Sequence, residues 1–424
     1  MARSSLFSKT RLRRNKVSWQ LPRARTMITE EVVQGARQYL MNTYTRYPIA
    51  LSRAQGMRVW DVEGREYLDF LAGVAVNVLG HCHPKVTRAI QQQAQHLQHS
   101  SNLFYTEPQV RLAKILVDHS FAGKVFFANS GAEANEAAIK LARRWAHEHD
   151  GQGRFEIVSM LNSFHGRTLA TLAASGQEKL HTGFDPLPAG FRYVPFNDEK
   201  ALADAVSTQT AAVMLELVQG EGGICVAAPS FLKACRDITR ERGALLIFDE
   251  VQTGVGRTGR LFAYEHYGVA PDIMTLAKGL GGGMPIGACL ATDAVAAAFT
   301  PGSHGSTLGG NPLACVAALA VLEVILEDQD ILGHCARMGE HFLKALKDLE
   351  AGCPAITNVQ GLGLMIGVEV TVNAHDLVHD LRKRGILANA TSEHMLRFVP
   401  PLIVTQAEID RLVVLLGEVI EARR

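Results

Sequence analysis

The chain has 424 residues, of which 47% are hydrophobic and 20% charged, and its formal net charge is +1. These values are typical of a folded globular protein of two or more domains, and they exclude a largely disordered or fibrous chain. A net charge this close to zero gives no reason to expect nucleic acid or a membrane surface as a partner.

Residues 1–26 form a basic leader with six arginines, two lysines, four serines and no acidic residue. This leader has a charge of +8, and the whole chain has a charge of +1, so the remaining residues carry about −7. Such N-termini are typical of organelle transit peptides, although this one lacks an amphipathic apolar face. We therefore expect a disordered leader on a cytoplasmic protein. The alternatives are a mitochondrial transit peptide, and an upstream extension before a true start at Met27.

Seven cysteines are scattered through the chain without a CxxC pair, which predicts buried thiols in a reducing compartment. The longest apolar run, residues 313–326, includes Glu323 and predicts a buried helix rather than a membrane span. His81, Cys82 and His83 are potential metal ligands, but three such neighbours cannot easily converge on one ion. We interpret them as a turn and expect no metal site.

After the leader, the pattern of apolar runs divides the chain into three parts. Residues 27–75 form an N-terminal segment with a predicted hairpin around Glu63 and Gly64, and we expect it to pack with the C-terminal domain. From about residue 120 to 300, short apolar runs alternate with helical stretches, which predicts a buried, mostly parallel sheet. We assign this sheet to a large domain of residues 76–312.

The third part, residues 313–424, predicts a smaller α+β domain. We therefore predict an α/β protein whose large domain contains a mostly parallel sheet flanked by helices. The elements predicted for the smaller domain are a helix to about residue 350, a strand over 361–370, a helix around 374–384, a strand near 396–398 and a terminal helix from Gln406.

Two polar residues follow apolar strands in the middle of the chain, Asp249 and, 29 positions later, Lys278. In a parallel sheet both would lie at the carboxyl edge, where ligands bind, and their separation suits one crossover connection and a strand. A lysine at an apolar strand end is costly unless its charge is suppressed, and a Schiff-base lysine requires a neutral amine. The alternatives are a solvated loop acid and a lysine that reaches to water.

Another strand ends in Ser130 and Gly131 and leads into a helix with an apolar side. The free N–H groups and the dipole at a helix start form an anion site, so both residues are candidate phosphate ligands. The alternative is a capping box between Ser130 and Glu133. The segment lacks the lysine of a Walker loop, which argues against a nucleoside triphosphate.

Two further segments supply candidate ligands. Ser306 and Thr307 lie in a glycine-rich stretch, where the backbone can approach an anion closely. Arg167 could bind a carboxylate with its planar guanidinium, and Phe164 could stack on an aromatic ring. The alternatives are a surface arginine and a phenylalanine of the core.

Four motifs resemble those of the class III (ornithine-type) aminotransferases, and the similarity runs from about Tyr44 to the C-terminus. In chain order they are Ser130-Gly-Ala-Glu-Ala-Asn135, Asp249-Glu-Val-Gln252, Ala277-Lys-Gly279 and Gly305-Ser-Thr-Leu-Gly-Gly-Asn-Pro312. The resemblance implies the fold of type I pyridoxal-phosphate-dependent transferases, a homodimer with shared active sites, and pyridoxal 5'-phosphate as the cofactor.

The resemblance also implies a role for each matching residue around that cofactor. Lys278 would hold the cofactor as a Schiff base, and Asp249 would keep its ring nitrogen protonated. The other implied contacts are Gln252 on the ring hydroxyl, Val251 and Phe164 on the two ring faces, Ser130 and Gly131 on the phosphate, and Thr307 on the phosphate of the neighbouring subunit.

By the same resemblance, the site accepts glutamate, which has a carboxylate beside its reacting amine, and a second substrate without one. Arg397 would bind this α-carboxylate, and Glu221 would neutralise Arg397 when the second substrate enters. Arg167 would bind the far carboxylate of either substrate, with Tyr44 and Ser306 as further substrate contacts.

The implied reaction moves the terminal amino group of N-acetylornithine to 2-oxoglutarate, as in arginine biosynthesis. Val74 stands where ornithine aminotransferases carry a tyrosine, which favours an acylated substrate. Succinylornithine, ornithine and N-succinyl-diaminopimelate remain alternative substrates. An aminomutase, racemase or ω-amino acid transaminase and a catalytically silent scaffold subunit are the alternative functions; the pair of Arg397 and Glu221 disfavours the aminomutase, and the complete set of cofactor residues disfavours the scaffold.

Overall fold

The computed structural model describes residues 27–151, 153–327 and 330–423, so the predicted leader of residues 1–26 lies outside the described residues. The helices are α1 (Thr29–Tyr39), α2 (Ala72–Ala75), α3 (Pro84–Ala94), α4 (Glu107–Asp118), α5 (Gly131–Asp150), α6 (Leu169–Ala174), α7 (Glu178–His181), α8 (Glu199–Ala205), α9 (Pro229–Glu241), α10 (Asp293–Ala296), α11 (Pro312–Glu327), α12 (Ile331–Gly352), α13 (Ala374–Lys383) and α14 (Gln406–Glu421), with short 3₁₀ helices at Ala263–His266 and Lys278–Gly281. The strands are β1 (Leu51–Gln55), β2 (Arg58–Asp61), β3 (Glu66–Asp69), β4 (Lys124–Ala128), β5 (Glu156–Met160), β6 (Phe191–Val194), β7 (Thr210–Glu216), β8 (Val218–Gln219), β9 (Cys225–Val226), β10 (Leu245–Asp249), β11 (Ile273–Leu276), β12 (Gly287–Ala291), β13 (Ile356–Leu362), β14 (Met365–Val370), β15 (Ile386–Leu387), β16 (Asn389–Ser392) and β17 (Met395–Phe398).

Among the described residues, 27–52 and 61–65 make up the first of two compact units. Its helix α1 begins at Thr29, whose backbone N–H and hydroxyl donate to the carboxylate of Glu63 over 2.8 and 2.7 Å. These two hydrogen bonds lower the pKa of Glu63, because they stabilise its charged form. Within this unit the start of the helix is therefore tied to the segment of residues 61–65.

The second unit comprises the described residues of 53–60 and 66–423, and it is built on a seven-stranded sheet with the order β4-β12-β11-β10-β7-β5-β6. Strands β11, β10, β7, β5 and β6 run parallel, whereas β12 is antiparallel to both of its neighbours. The predicted α/β class with a mostly parallel sheet is confirmed. The antiparallel β12 is the one departure within this sheet.

Helices cover both faces of this sheet, as strand β10 shows. Ile247 packs in one apolar cluster with Leu141 of α5, whereas the next residue, Phe248, packs in another cluster with Phe231 of α9. Successive residues of a strand point to opposite faces, so both faces must be apolar for the strand to be buried. All residues of β10 are buried, which explains the unbroken apolar run that precedes Asp249.

The C-terminal part contains an antiparallel sheet with the order β13-β14-β17-β16. Helices α13 and α14 and strand β17 confirm the elements predicted around residues 374–384, from Gln406 and near 396–398. The strand predicted over residues 361–370 covers the end of β13 and all of β14, because Gly363 turns the chain between them with a φ of +57°. A side chain at Gly363 would lie 2.5 Å from the backbone of Thr258, so this turn requires glycine.

The predicted N-terminal hairpin is also confirmed, since β2 and β3 pair antiparallel with Val59 opposite Tyr67. All seven cysteines are free thiols; five are buried, but Cys225 is only partly buried and Cys82 is exposed, so the prediction of buried thiols is wrong for Cys82. Among the described residues no helix is long and apolar enough to cross a membrane. Nor does any group of three or more histidine, cysteine, aspartate or glutamate side chains there form a cluster able to hold a metal ion.

Three neighbouring parallel strands of the large sheet end close to polar residues. Glu216 is the last residue of β7, Asp249 is the last residue of β10 and lies opposite Glu216 in register, and Lys278 follows the end of β11 by two residues. Carboxyl ends of adjacent parallel strands share one edge, where α/β proteins bind ligands. The predicted domain division at residues 76 and 313 stays a prediction.

Candidate active site

A cavity of about 420 Å³ lies at this carboxyl edge, and we call it the main cavity. It brings together eight of the residues that the sequence predicts for the site. They are Ser130, Gly131, Phe164, Arg167, Asp249, Val251, Gln252 and Lys278. The predicted amine and the predicted carboxylate, Lys278 and Asp249, therefore share one cavity.

Asp249 is almost completely buried, with 3% exposure, and three donors hold its carboxylate. Its Oδ2 accepts hydrogen bonds from Nδ2 of Asn135 over 2.8 Å and from Nδ1 of His165 over 2.7 Å, while Oδ1 accepts one from the N–H of Val251 over 3.0 Å. The hydroxyl of Thr275 donates to Oδ1 of Asn135 and fixes the orientation of that amide. The carboxylate is thus held in one position before any ligand binds.

His165 is the buried partner of Asp249, and its charge depends on two opposing effects. Burial alone would lower the pKa of His165, but the hydrogen bond and charge of Asp249, together with the charge of Glu216, raise that pKa above its ordinary value. Since a carboxylate oxygen only accepts, Nδ1 is the nitrogen that carries a proton toward Asp249. The tautomer of His165 is therefore fixed by its neighbour.

Lys278 follows its strand in a left-handed backbone conformation, with a φ of +43°. Burial lowers the pKa of the Lys278 ammonium below its ordinary value, an effect that Glu221 opposes and Arg397 reinforces. A lowered pKa increases the fraction of neutral amine, which is the nucleophilic form. Lysine is uncommon in this backbone region, so the surrounding structure must stabilise the conformation that points the amine into the cavity.

The start of α5 forms part of the wall of the main cavity, which Ser130 and Gly131 line. Oγ of Ser130 accepts a hydrogen bond from the N–H of Glu133 over 3.2 Å, and Glu133 in turn accepts one from the N–H of Asn129 over 2.6 Å. Ser130 therefore caps the helix, but Glu133 binds the N–H of Asn129 instead of that of Ser130, so the reciprocal capping box that the sequence offered as an alternative is not formed. Ser130 also lines the main cavity. The helix start with its dipole remains available to attract an anion.

Gly131 allows this helix start to pack closely against the loop that follows β10. A Cβ atom at position 131 would lie 2.6 Å from Cγ1 of Val251, which is closer than real carbon atoms approach. A larger residue would therefore displace Val251 or the helix. Glycine at this position therefore allows the N–H groups at the start of α5 and the Val251 side chain to lie next to each other in the cavity wall.

Phe164 and Arg167 come from the loop that follows β5. The Arg167 guanidinium lies 5.6 Å from the centre of the Phe164 ring, within the range of a cation–π contact. The N–H of Phe164 donates to Oε2 of Glu216 over 3.0 Å, which ties the loop to the neighbouring strand. Phe164 is half-buried and Arg167 is exposed at the cavity, so both side chains are accessible to a ligand.

Arg397 and Glu221 form an ion pair, and Arg397 also contacts Gln252. Nη1 of Arg397 donates to Oε1 of Glu221 over 2.5 Å and to Oε1 of Gln252 over 3.3 Å. Burial would raise the pKa of Glu221, but the charge and hydrogen bond of Arg397 lower it below its ordinary value. Gln252 lines the main cavity and therefore links the arginine to it. Glu221 also borders a second cavity of about 350 Å³.

Three predicted residues are placed elsewhere. Thr307 borders two other cavities, and Ser306 uses its hydroxyl to accept hydrogen bonds from Asn129 and Gly309 over 3.1 and 3.0 Å. Tyr44 belongs to the first compact unit, where its exposed ring contacts the Arg46 guanidinium at 5.2 Å. The roles predicted for these three residues stay predictions.

Sequence reasoning missed three polar residues of the site. Asn135 and His165 bind Asp249, and Glu216 accepts hydrogen bonds from the N–H groups of Phe164 and Gly220. Burial raises the pKa of Glu216 to about 7, against the opposing effect of the His165 charge. Glu216 carried a usable signal, because it ends an apolar strand in the same way as Asp249.

Comparison with known proteins defines the class, and the chain belongs to the class III aminotransferase family, which it matches over residues 39–420. It is 53% identical to the acetylornithine aminotransferase of Caldanaerobacter subterraneus subsp. tengcongensis (94% of this chain, 100% of the relative) and 52% identical to that of Methanothermobacter thermautotrophicus (93% and 99%). Its fold matches the crystal structures of the ornithine aminotransferase from Toxoplasma gondii ME49 (TM-score 0.90, 35% identity, 94% and 96% covered) and of the acetylornithine aminotransferase from Elizabethkingia anophelis (0.83, 33%, 94% and 100%). The resemblance that the motifs indicate is confirmed.

Membership of this family makes the chain an aminotransferase that depends on pyridoxal phosphate. The residues present fit that cofactor. The start of α5 at Gly131 suits a phosphate, the fixed carboxylate of Asp249 suits a protonated ring nitrogen, and the apolar side chains of Phe164 and Val251 suit the faces of a ring. Lys278 is the one lysine among the described residues that line the main cavity, and it suits the aldehyde.

Proposed function

We propose that the chain moves the terminal amino group of N-acetylornithine to 2-oxoglutarate, reversibly, with N-acetylglutamate 5-semialdehyde and glutamate as products. This reaction belongs to arginine biosynthesis. The observation that carries the proposal is the buried Arg397, which is paired with the less buried Glu221 and linked by Gln252 to the cavity of Lys278. The names of the relatives that are 53% and 52% identical support the choice of substrate.

When bound, pyridoxal phosphate supplies an aldehyde carbon that carries the amino group and a ring that accepts electrons from the substrate carbon. Lys278 attaches the cofactor through its Nζ, and it moves a proton at the substrate carbon once its amine is free. Asp249 holds the proton of the ring nitrogen, and His165 and Asn135 keep the Asp249 carboxylate in place. The lowered pKa of Lys278 favours both of its tasks.

Gln252 has a fixed orientation that suits a contact with the ring hydroxyl. Because arginine N–H groups only donate, the atom of Gln252 that faces Nη1 of Arg397 must be its oxygen. The Gln252 nitrogen is then left as a donor, and we assign it to the oxygen on the ring. Phe164 and Val251 exclude water from the ring faces, and Ser130 and Gly131 bind the phosphate.

Arg397 and Glu221 allow one site to accept two kinds of substrate. The α-carboxylate of glutamate displaces Glu221 and binds Arg397. N-Acetylornithine reacts through an amine with no carboxylate beside it, so Glu221 stays on Arg397 and prevents an unpaired buried charge, which would cost several kcal/mol. Arg167 binds the far carboxylate of either substrate through its planar guanidinium. Tyr44 and Ser306 are proposed as further substrate contacts.

We also propose that the active unit is a homodimer in the cytoplasm. Three consecutive apolar or aromatic side chains are strongly exposed: Leu103 (87%), Phe104 (67%) and Tyr105 (99%). Such a patch is unusual on a surface that contacts only solvent. Thr307 borders a cavity together with Phe104, outside the main cavity, in keeping with a contact to the phosphate of the neighbouring subunit. Seven free cysteines favour a reducing compartment.

The experiment that tests the proposed function compares purified enzyme with N-acetylornithine, N-succinylornithine and ornithine at equal concentrations, with 2-oxoglutarate as acceptor. We expect the highest kcat/KM for N-acetylornithine, with one glutamate formed for each amine consumed. A higher kcat/KM for N-succinylornithine or ornithine assigns the chain to that substrate instead. Absence of exchange between glutamate and 2-oxoglutarate overturns the proposal.

A further inference from the structure

Arg397 is held by three neutral acceptors and one charged acceptor. Its Nε donates to Oδ1 of Asn389 over 3.2 Å, while Nη1 donates to the carbonyl of Gly220 over 3.0 Å, to Gln252 over 3.3 Å and to Glu221 over 2.5 Å. The Arg397 side chain is 2% exposed, whereas that of Glu221 is 30% exposed. The charged acceptor is therefore the one with room to leave, and the neutral acceptors belong to the surrounding wall.

Strand register fixes the position of Asn389. In the antiparallel pair of β16 and β17, Asn389 lies directly opposite Arg397, so both side chains point to the same face of the sheet. Because arginine N–H groups only donate, the amide atom that faces Nε must be the oxygen. A planar guanidinium anchored at Nε keeps its plane, while its Nη atoms remain free to exchange one acceptor for another.

We propose that Asn389 is a positioning residue that holds the guanidinium of Arg397 while the substrate α-carboxylate replaces Glu221. This inference rests on the proposed function, in which glutamate uses Arg397 and N-acetylornithine does not. Asn389 then sets the affinity for the substrate that has a carboxylate beside its reacting amine. It has little influence on the other substrate, because Glu221 itself holds Arg397 in that half of the reaction.

The absence of charge on Asn389 matters as much as its hydrogen bond. An aspartate at position 389 would keep the bond to Nε but would add a permanent counter-charge that cannot leave. The α-carboxylate would then meet an arginine that is already neutralised, and it would bind more weakly even with Glu221 displaced. An amide therefore orients Arg397 without competing with the substrate.

The first test measures N389A in the holoenzyme. Loss of a hydrogen bond to a charged group should weaken binding of glutarate, an unreactive dicarboxylate, by about tenfold, equivalent to about 1.4 kcal/mol. Calorimetry of the holoenzyme measures this directly. In single half-reactions, the KM for glutamate should rise by a similar factor, while the KM for N-acetylornithine stays within about twofold of wild type.

The second test compares N389D with N389A and with S392A, which changes an exposed residue of the same strand β16. N389D should weaken glutarate binding at least as much as N389A and should leave N-acetylornithine unaffected or improved, whereas S392A should match wild type. If N389A does not fold, N389D still tests the proposal, because aspartate keeps the size of Asn389 and an oxygen that accepts the hydrogen bond from Nε of Arg397. Equal effects on both substrates, or no effect of N389D on glutarate, overturn the proposal.

Failure of this inference is distinguishable from failure of the proposed function. If the wild-type enzyme reacts with glutamate, but the variants at position 389 change the KM values for glutamate and N-acetylornithine by the same factor, only the role of Asn389 is wrong. If wild type itself neither binds glutarate nor reacts with glutamate, the proposed function is wrong and the inference falls with it.

Discussion

Nδ1 of His165 donates to Oδ2 of Asp249 over 2.7 Å, and both residues are buried in the wall of the main cavity. Asp249 is the residue that faces the ring nitrogen in the proposed mechanism, so His165 acts on the reaction through it. An acid at this depth is held by its neighbours rather than by water. The position of the carboxylate, and with it the proton that Asp249 holds on the ring nitrogen in the proposed mechanism, therefore depends on His165.

This relationship predicts different results for two substitutions of His165. H165A removes one donor to Asp249 and leaves a cavity, and should lower stability by about 1–3 kcal/mol and kcat by about tenfold or more. H165N places an amide N–H near the position of Nδ1 and should recover most of kcat. Steady-state kinetics and the visible absorbance of the holoenzyme are the measurements. Equal kcat for H165A and wild type would show that Asn135 and Val251 hold Asp249 without help.

Glu216 predicts a dependence of stability on pH. Folding raises its pKa from 4.5 to about 7, chiefly through burial, so the folded chain binds this proton more tightly than the unfolded chain. Its contribution to stability is complete below about pH 4.5 and is lost as the pH rises through about 7. E216Q does not titrate, so the melting temperature of the variant minus that of wild type should increase from about pH 5 to about pH 8. The exposed Glu241, changed to Gln, is the control, and a difference that does not vary with pH contradicts the prediction.

Glu221 predicts a change in substrate preference. E221Q keeps the size of the side chain but removes the counter-charge of Arg397, so kcat/KM for N-acetylornithine should fall by about a hundredfold, equivalent to about 3 kcal/mol. The glutamate half-reaction should be unchanged or faster, because its α-carboxylate no longer displaces a charged competitor. Separate measurement of the two half-reactions checks this. A parallel loss in both would mean that Glu221 stabilises the site instead of switching it.

Gly131 predicts a steric effect on cofactor binding. G131A introduces a Cβ atom 2.6 Å from Val251 and should weaken the binding of pyridoxal phosphate by about tenfold, through the cost of overpacking. G153A is the matched control, because no atom lies within 4 Å of a Cβ at that position. Cofactor release during dialysis, followed by absorbance, measures the effect. Equal retention by both variants would contradict the close packing of α5 against Val251.

The site residues that could be predicted are those whose position follows from the local sequence pattern around them. Asp249 and Lys278 could be found from the sequence because each follows an apolar strand, and Ser130 because it precedes a helix. Glu216 ends an apolar strand as Asp249 does, so the same pattern identifies it as a candidate. Asn389 has no such pattern, because its contact with Arg397 arises from the register of two strands and not from local sequence.

The fold was predictable to a similar degree. The alternation of buried runs and helices predicts the parallel sheet, because a strand covered on both faces must be apolar throughout. The direction of the antiparallel strand β12 could not be predicted. Its residues are as apolar as those of the parallel strands beside it, because burial sets the composition of a strand and its direction does not. The turn at Gly363 was hidden within an apolar stretch in which no charged residue marks the break.

The attachment site of the cofactor tests the central claim most directly. Reduction of the holoenzyme with borohydride, followed by proteolysis and mass spectrometry, should find the pyridoxyl group on the peptide that contains Lys278 and should find no such modification in K278A. Modification of a different lysine, or a visible absorbance in K278A that borohydride still traps on the protein, would contradict the assignment of Lys278 and with it the site described around Asp249.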